Sequence, residues 1–401
     1  MERPLLLLIG QVVQPTGLAR VVRELAQGLS PALGVHVLGL DAQRDEQRGD
    51  VQVHACSRSD AYGASALPGL LTALRPAAVL VVCDLWMVPL YSALLRRIDR
   101  SPPLLAYVPL DAEPQTPELL QGLSGLSLLI LYTEFARRSI AERAAAWQIA
   151  LPPIALLPHG VDRQRFAPID AGQVDADQAA RRQQARRALF PDRPDLAQAF
   201  LVLNCNRNQP RKRLDLTLHA FAAFAAGKPP GVRLCLHSGR RGGGCDVPDL
   251  ARRLGIADRL ILTAVDDAHP AFSDQQLNLL YNACEVGINT ALGEGWGLCS
   301  FEHAATGAAQ VVPAHSACLE LWHGAAELVP VRRRVPLGPV LQGAEIDPAA
   351  AAAALERLYS DRAHLEAMSA AALRRAADPA LRWSAVGARC RQLIQSTLNA
   401  T

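Results

Sequence analysis

The chain has 401 residues, half of them apolar and a fifth charged, with 28 glycines and 28 prolines. That composition excludes collagen-like, disordered and coiled-coil chains, and the length points to two domains, or three. Basic residues exceed acidic ones by 41 − 38 = 3, too few for a nucleic-acid protein that relies on a global basic field.

The first apolar run, 5–13, is interrupted by Gln11 and falls short of the ~20 residues that a spanning helix needs. Glu2 offsets Arg3, and no small-residue cleavage site closes the run, so it reads as a buried first strand and not as a signal peptide. Further short apolar runs follow at 35–40, 51–54, 78–83, 104–108, 128–132 and 154–157. Between several of them, as at 19–29 and 69–74, apolar positions recur at three and four. Continuous apolar strands separated by amphipathic helices are the pattern of a parallel sheet covered on both faces.

From 168 to 196 the chain turns polar and rich in arginine and alanine, which predicts a linker carrying one exposed helix. A second strand series follows at 200–205, 233–237, 260–263, 286–289, 310–313 and 327–331, with helices at 215–226, 274–283, 300–306 and 316–322. The tail, 349–371 and 382–398, reads as helix with no further strand. Trp383, Val386, Cys390, Leu393 and Ile394 form one apolar stripe that needs a partner. The predicted class is therefore α/β, two doubly wound Rossmann-like domains. Nine scattered cysteines, with no Cys-x-x-Cys pair, favour reduced thiols in the cytoplasm over a disulfide framework or a zinc site.

Ligands of such sheets bind at the carboxyl ends of the strands, so the turns that follow strands are the places to search. Neither domain carries a Gly-x-Gly-x-x-Gly turn or a Walker lysine loop, and the first turn, 10–17, spaces its glycines too widely for a dinucleotide fingerprint. The densest turn is 293–302, which reads Gly-Glu-Gly-Trp-Gly-Leu-Cys-Ser-Phe-Glu. Gly295 and Gly297 let a ligand approach the backbone, and the helix starting at Gly297 or Leu298 offers N–H groups to a phosphate. Glu294 and Glu302 would hold hydroxyls at the two ends of a ligand, or be a capping turn with a surface glutamate. The turn at 204–215 crowds Arg207, Arg211, Lys212 and Arg213, enough to neutralise two phosphates, or to make a solvated loop. Only Lys212 and Lys228 are lysines among the 41 basic residues, so a lysine at 212 suggests a place where arginine's fork does not fit. Gly239–Gly244 reads as a mobile surface loop, Arg332–Arg334 as solvated surface, and Cys299 and Cys318 as packing.

Arg207-x4-Lys212, then Glu294-x7-Glu302, preceded by Pro158-His-Gly-Val-Asp-Arg-Gln-Arg-Phe166, resemble the retaining glycosyltransferases of family 4. The resemblance covers the second domain throughout and is looser in the first, where Thr16-Gly17 is similar to the family's amino-terminal glycine loop, a site for acceptor or phosphate. It implies the GT-B fold, two Rossmann-like domains facing a cleft. Residues 1–165 would bind the acceptor and 166–381 the donor, with the helix of 382–401 crossing back to the first domain. Arg207 and Lys212 would hold the diphosphate of a nucleotide-sugar donor, Glu302 the ribose hydroxyls, and Glu294 the transferred sugar. Backbone N–H groups of Gly295, Trp296, Gly297 and Leu298 would assist. The reaction would retain anomeric configuration and need no metal or cofactor, with the leaving phosphate helping to deprotonate an acceptor that the sequence does not identify. Departures from the family pattern are Ala308–Ala309 after Gly307, Ser316-Ala-Cys318 where a glycine pair is usual, and Leu110-Asp111 in place of His-Asp. Asp111 is the candidate catalytic neighbour in the first domain, or a loop residue. A non-catalytic GT-B subunit and a nucleotide-sugar epimerase on the same fold are the alternatives. No nucleic acid, and at most peripheral membrane contact, is expected.

Overall fold

The computed structural model describes residues 3–98, 100–169 and 178–400. The chain divides into two compact units, Met1–Gly160 with Pro379–Thr401, and Val161–Asp378.

The first unit runs β1 (Leu5–Gly10), α1 (Gly17–Leu29), β2 (Gly34–Gly39), β3 (Glu46–Arg48), β4 (Val51–Ala55), α2 (Leu67–Leu74), β5 (Ala78–Val82), α3 (Val88–Leu95), β6 (Leu104–Val108), β7 (Glu113–Pro114), α4 (Glu118–Gln121), β8 (Leu128–Leu131), α5 (Glu134–Ala146) and β9 (Ile154–Leu156). Its sheet has the order β3-β4-β2-β1-β5-β6-β8-β9, with β7 outside it. All neighbours pair in parallel except the edge strand β3, which is antiparallel to β4. Strands β5 and β6 are buried at every residue, which is why they read as unbroken apolar runs. The edge strand Glu-Gln-Arg has no apolar residue and left no such signal.

The second unit runs α6 (Gln178–Leu189), β10 (Phe200–Asn204), α7 (Leu214–Ala225), β11 (Val232–Leu236), α8 (Val247–Arg253), β12 (Leu260–Leu262), α9 (Asp274–Ala283), β13 (Val286–Ile288), α10 (Leu298–Ala304), β14 (Ala309–Pro313), α11 (Ser316–Trp322), β15 (Glu327–Val329), β16 (Val331–Leu337), β17 (Leu341–Ile346), α12 (Pro348–Ser360) and α13 (Arg362–Ala376). Its six-stranded parallel sheet has the order β12-β11-β10-β13-β14-β15. Numbered within the unit that is 3-2-1-4-5-6, the doubly wound Rossmann order, which reverses direction between β10 and β13.

Two expectations are corrected here. The linker helix is not exposed. On α6, Arg186 is buried, donates to both carboxylate oxygens of buried Glu285 at 2.6 and 2.7 Å, and donates to the Ala283 carbonyl at 2.8 Å. Glu285 also accepts the Leu201 N–H, so the helix is riveted to the sheet, and Arg182 and Arg186 are structural. Residues 170–177 of that linker lie outside the described residues. Nor is the last strand 327–331, although Arg332–Arg334 are exposed as expected. The β16–β17 hairpin is antiparallel, and Arg333 binds Glu345 through two hydrogen bonds across it. Three consecutive arginines hid the alternation that marks a strand.

The helix α14 (Trp383–Ala400) completes the first unit. Its buried residues are Val386, Gly387, Cys390 and Ile394, and it packs on α1, where Gly28 and Gly387 bring the two backbones together. A Cβ on Gly387 would lie 3.1 Å from the Gly28 Cα. At the start of α14, Trp383 covers Gly160, where a Cβ would come within 2.4 Å of the indole. His159 is buried beneath, with Nδ1 2.6 Å from the Tyr107 hydroxyl, and burial pushes its pKa down to about 3. Among the described residues, no helix is long and apolar enough to cross a membrane.

Candidate functional site

The crevice of a doubly wound sheet lies outside the carboxyl ends of the strands where the order reverses, here β10 and β13. The two chemically dense turns follow those two strands, so residues some 80 positions apart in sequence meet.

The turn after β10 is built by asparagines that substitute for backbone partners. Asn204 accepts from the Asn206 N–H at 3.0 Å and donates to Thr217, whose hydroxyl meets Thr290 at 2.8 Å. Asn208 accepts from Cys245 N–H and donates to the Cys245 and Gly239 carbonyls. The chain then makes a short turn over Pro210–Lys212, and Arg213 takes left-handed backbone (φ 49°) to start α7. Its guanidinium binds Asp215 and Glu345, which ties the turn to α7 and β17.

The loop Gly239–Gly244 is exposed from Arg241 to Gly244, as expected of a surface loop, yet parts of it lie close against neighbouring backbone. A Cβ on Gly239 would stand 2.2 Å from the Asp267 carbonyl oxygen, and one on Gly242 2.2 Å from that of Asn208. Gly242 and Gly244 serve close packing against the Asn208 turn.

Lys212 and Glu294 face each other at the centre. The Lys212 ammonium donates to Glu294 Oε1 at 2.5 Å, and both side chains are buried. Asn289 Nδ2 donates to the same oxygen at 3.0 Å, and Arg211 approaches Oε2 to 3.7 Å while donating to the Gly293 carbonyl. Burial alone would raise the Glu294 carboxyl, but the charges of Lys212 and Arg211, with the hydrogen bonds of Lys212 and Asn289, outweigh it and hold Glu294 below its ordinary value. The Glu294 N–H donates to Ser316 Oγ at 3.2 Å. Ser316 itself has φ 48°, a conformation that suits glycine, so a serine occupies the strained position and uses its hydroxyl to support Glu294.

Glu302 lies on α10, buried, and accepts from the buried Tyr281 hydroxyl at 2.9 Å. Gly297, at φ 94°, precedes α10 with no capping side chain. Trp296 is buried and stacks on Phe301 at 5.0 Å, so only its backbone can serve a ligand. Arg207 lies on the same turn as Lys212, and its charge lowers the pKa of His269 behind the larger effect of burial. Cys299 Sγ lies 3.5 Å from the Cys205 carbonyl oxygen.

The remaining candidates stand on the first unit. Thr16 caps α1, its hydroxyl accepting from the Ala19 N–H at 3.0 Å, and Gly17 is the first residue of that helix. Asp111 is half-buried in the loop after β6. Sequence reasoning missed Asn204, Asn206, Asn208, Asn289 and Ser316. The alternation of asparagines after a strand was the available signal.

No sequence-family profile matches the chain. Among curated proteins, D-inositol 3-phosphate glycosyltransferase of Mycolicibacterium smegmatis is 33% identical over 161 residues, which are 39% of this chain and 34% of the relative. The counterpart from Mycobacterium ulcerans is also 33% identical, over 39% of this chain and 29% of its own length. The match thus spans about a third of these relatives. Among solved structures, sucrose-phosphate synthase from Thermosynechococcus elongatus superimposes over the whole of both chains with a TM-score of 0.77 at 17% identity. An α,α-trehalose 6-phosphate synthase from Burkholderia multivorans gives 0.71 at 18%, again over all of both chains. HepE of Anabaena, solved with UDP and glucose, gives 0.70 at 13% over 98% of this chain and all of its own. The chain therefore has the GT-B fold of these enzymes, two Rossmann-like units in one polypeptide.

Proposed function

We propose that the chain is a glycosyltransferase that moves a sugar from a nucleoside-diphosphate sugar to an acceptor hydroxyl. The observation that carries the reading is the convergence of Lys212 and Arg211 on buried Glu294 at the switch point of the second unit, with Arg207 on the same turn. Cations there meet a diphosphate, and a desolvated carboxylate beside them meets sugar hydroxyls. The names of the relatives and the UDP and glucose of the HepE complex agree with such a donor.

In this reading Arg207 and Lys212 bind the diphosphate, Glu302 the ribose and Glu294 the transferred sugar, with backbone N–H groups of Gly295–Leu298 around it. Lys212 is not idle before the donor arrives, because it neutralises Glu294 and then shares its charge with the phosphate. The bond from the anomeric carbon to the phosphate oxygen breaks, the nucleoside diphosphate leaves with the electron pair, and the acceptor oxygen bonds to that carbon. The acceptor's proton passes to the leaving phosphate oxygen on the same face, so configuration is retained. Asp111 is the first-unit carboxylate proposed to face the reacting hydroxyl. The cations do the work of a divalent ion, so turnover is expected to survive EDTA. All nine cysteines are free, consistent with a reducing compartment such as the cytoplasm.

The test is thermal unfolding against a panel of nucleoside diphosphates and their sugars, followed by diphosphate release with candidate acceptors and NMR of the product anomer. A donor at 100 times its Kd adds about 2.7 kcal/mol. No stabilisation by any of them refutes the reading, and binding without turnover assigns the chain to a non-catalytic subunit. Inversion or loss of activity on chelation refutes the corresponding detail.

A further inference from the structure

The sheet of the first unit also reverses direction, between β1 and β5, so a second crevice lies at the carboxyl ends of those strands. Around it stand two large rings left in solvent, Trp86 at 55% exposure after β5 and Tyr62 at 40% after β4. The rings meet edge to face, 6.0 Å apart at 89°. They are held in place. The Tyr62 carbonyl accepts from the buried Tyr91 hydroxyl at 3.0 Å, and the Asp60 carboxylate accepts from the N–H groups of Ala64 and Ser65 and from the Ser65 hydroxyl. Trp86 sits in a tight turn, Leu85–Met87, anchored by buried Leu85. A rigid exposed aromatic pair at a sheet's ligand-binding edge is a surface for the C–H face of a sugar ring.

The charges at this edge point to a neutral ligand. The N–H groups of Val12, Val13 and Gln14, which follow β1, all donate to the Asp41 carboxylate, at 2.6 to 3.1 Å. Three converging amides after the first strand are a natural phosphate cradle, and this chain fills it with its own anion. The nearby guanidinium groups of Arg23 and Arg48 donate to the Val12 carbonyl. Asp84, two residues before Trp86, adds a further carboxylate. Burial first, and then the charges of Asp84, Cys83 and Asp111, raise the pKa of the Tyr132 phenol, whose hydroxyl has no hydrogen-bond partner among the described residues. Carboxylates accept from sugar hydroxyls and repel phosphate.

We infer that this edge binds the acceptor and selects an unphosphorylated saccharide or polyol, with Tyr62 and Trp86 as its stacking surface and Asp84 as a hydroxyl-binding group. The inference rests on the proposed sugar transfer and departs from the relatives whose names carry a sugar phosphate.

The experiment adds glucose, maltose and myo-inositol, and separately glucose 6-phosphate and myo-inositol 3-phosphate, to the full chain while tryptophan emission is followed. At least one neutral probe shifts the emission in the wild type and not in Trp86→Phe, and binds more tightly than its phosphate ester. In the diphosphate-release assay Trp86→Ala raises the acceptor KM about tenfold and leaves the donor KM unchanged. Tighter binding of the phosphate esters, no Trp86-dependent signal with any neutral probe, or an unchanged acceptor KM overturns the inference. Failure to bind any nucleotide-sugar refutes the transfer reading instead, and the fluorescence titration still decides the saccharide site.

Discussion

Replacing Lys212 by methionine removes the ammonium that lies 2.5 Å from Glu294 and leaves a buried carboxylate facing Asn289 and, at 3.7 Å, Arg211. Breaking one partner of a buried pair costs about 3–5 kcal/mol, and the residual contact with Arg211 puts the expectation near the lower end, about 3 kcal/mol. For a unit of this size that lowers the unfolding midpoint by about 6–12 °C. Adding Glu294→Gln removes the stranded charge, so the double variant recovers about 2 kcal/mol of the loss. The effect has a defined pH dependence. Glu294 titrates below its ordinary 4.5 in the folded chain, so the pair's contribution is complete above that value and is lost as the pH falls through the depressed one. The gap between wild type and Lys212→Met therefore narrows on acidification. The assay is calorimetry of both single variants and the double variant at pH 7 and pH 4. Additivity of the two changes within about 0.5 kcal/mol, or a gap that does not depend on pH, refutes the reasoning. Lys212→Arg is expected to lose donor affinity, because it replaces a compact buried ammonium with a bulkier planar fork.

Glu302→Ala should mainly raise the donor KM, since ribose contacts persist unchanged into the transition state, whereas Glu294→Ala should mainly lower kcat; steady-state kinetics with saturating acceptor separates them. Arg186→Met leaves the buried Glu285 carboxylate with Arg182 at 3.7 Å and the Leu201 N–H, and should destabilise the second unit by about 3 kcal/mol in denaturant titrations. His159, His237 and His303 are buried, each with its pKa pushed down to about 3, so the unfolded chain takes up protons that the folded chain refuses. Stability should therefore fall by on the order of 1 kcal/mol per pH unit per ring as pH drops from 6.5 toward 3, read by unfolding midpoints across that window. Gly160→Ala drives a methyl into the Trp383 indole and should lower stability by about 1–3 kcal/mol without changing donor affinity.

The parts of the fold visible in the sequence are those where burial dictates residue type along the chain. β5 and β6 are apolar at every position because both faces are covered, and most strand ends fell within a residue or two of the structure. Elements held by charge were hidden. In β16 Arg333 binds Glu345 across the hairpin, and in α6 two arginines are buried against Glu285, so a polar run concealed a strand in one case and a packed helix in the other. The Lys212–Glu294 pair shows what one dimension lacks. The two turns could be picked out singly by their chemistry, but only the adjacency of β10 and β13 brings the ammonium onto the carboxylate. The asparagine clips at 204, 206 and 208 went unread because, as bare sequence, they look like any polar turn.

Because α14 lies against α1 while residues 161–378 form a unit of their own, the second unit is an insertion within the first. During synthesis, the second unit has all of its strands before the first has its final helix. The groove beside Gly28 and the face of His159 and Gly160 wait through more than half the chain for Trp383 and Val386 to emerge. The first unit to be translated is therefore the last to close, and a message cut short by some twenty codons would spare the unit beside the cut and leave the distant amino-terminal one with an open seam.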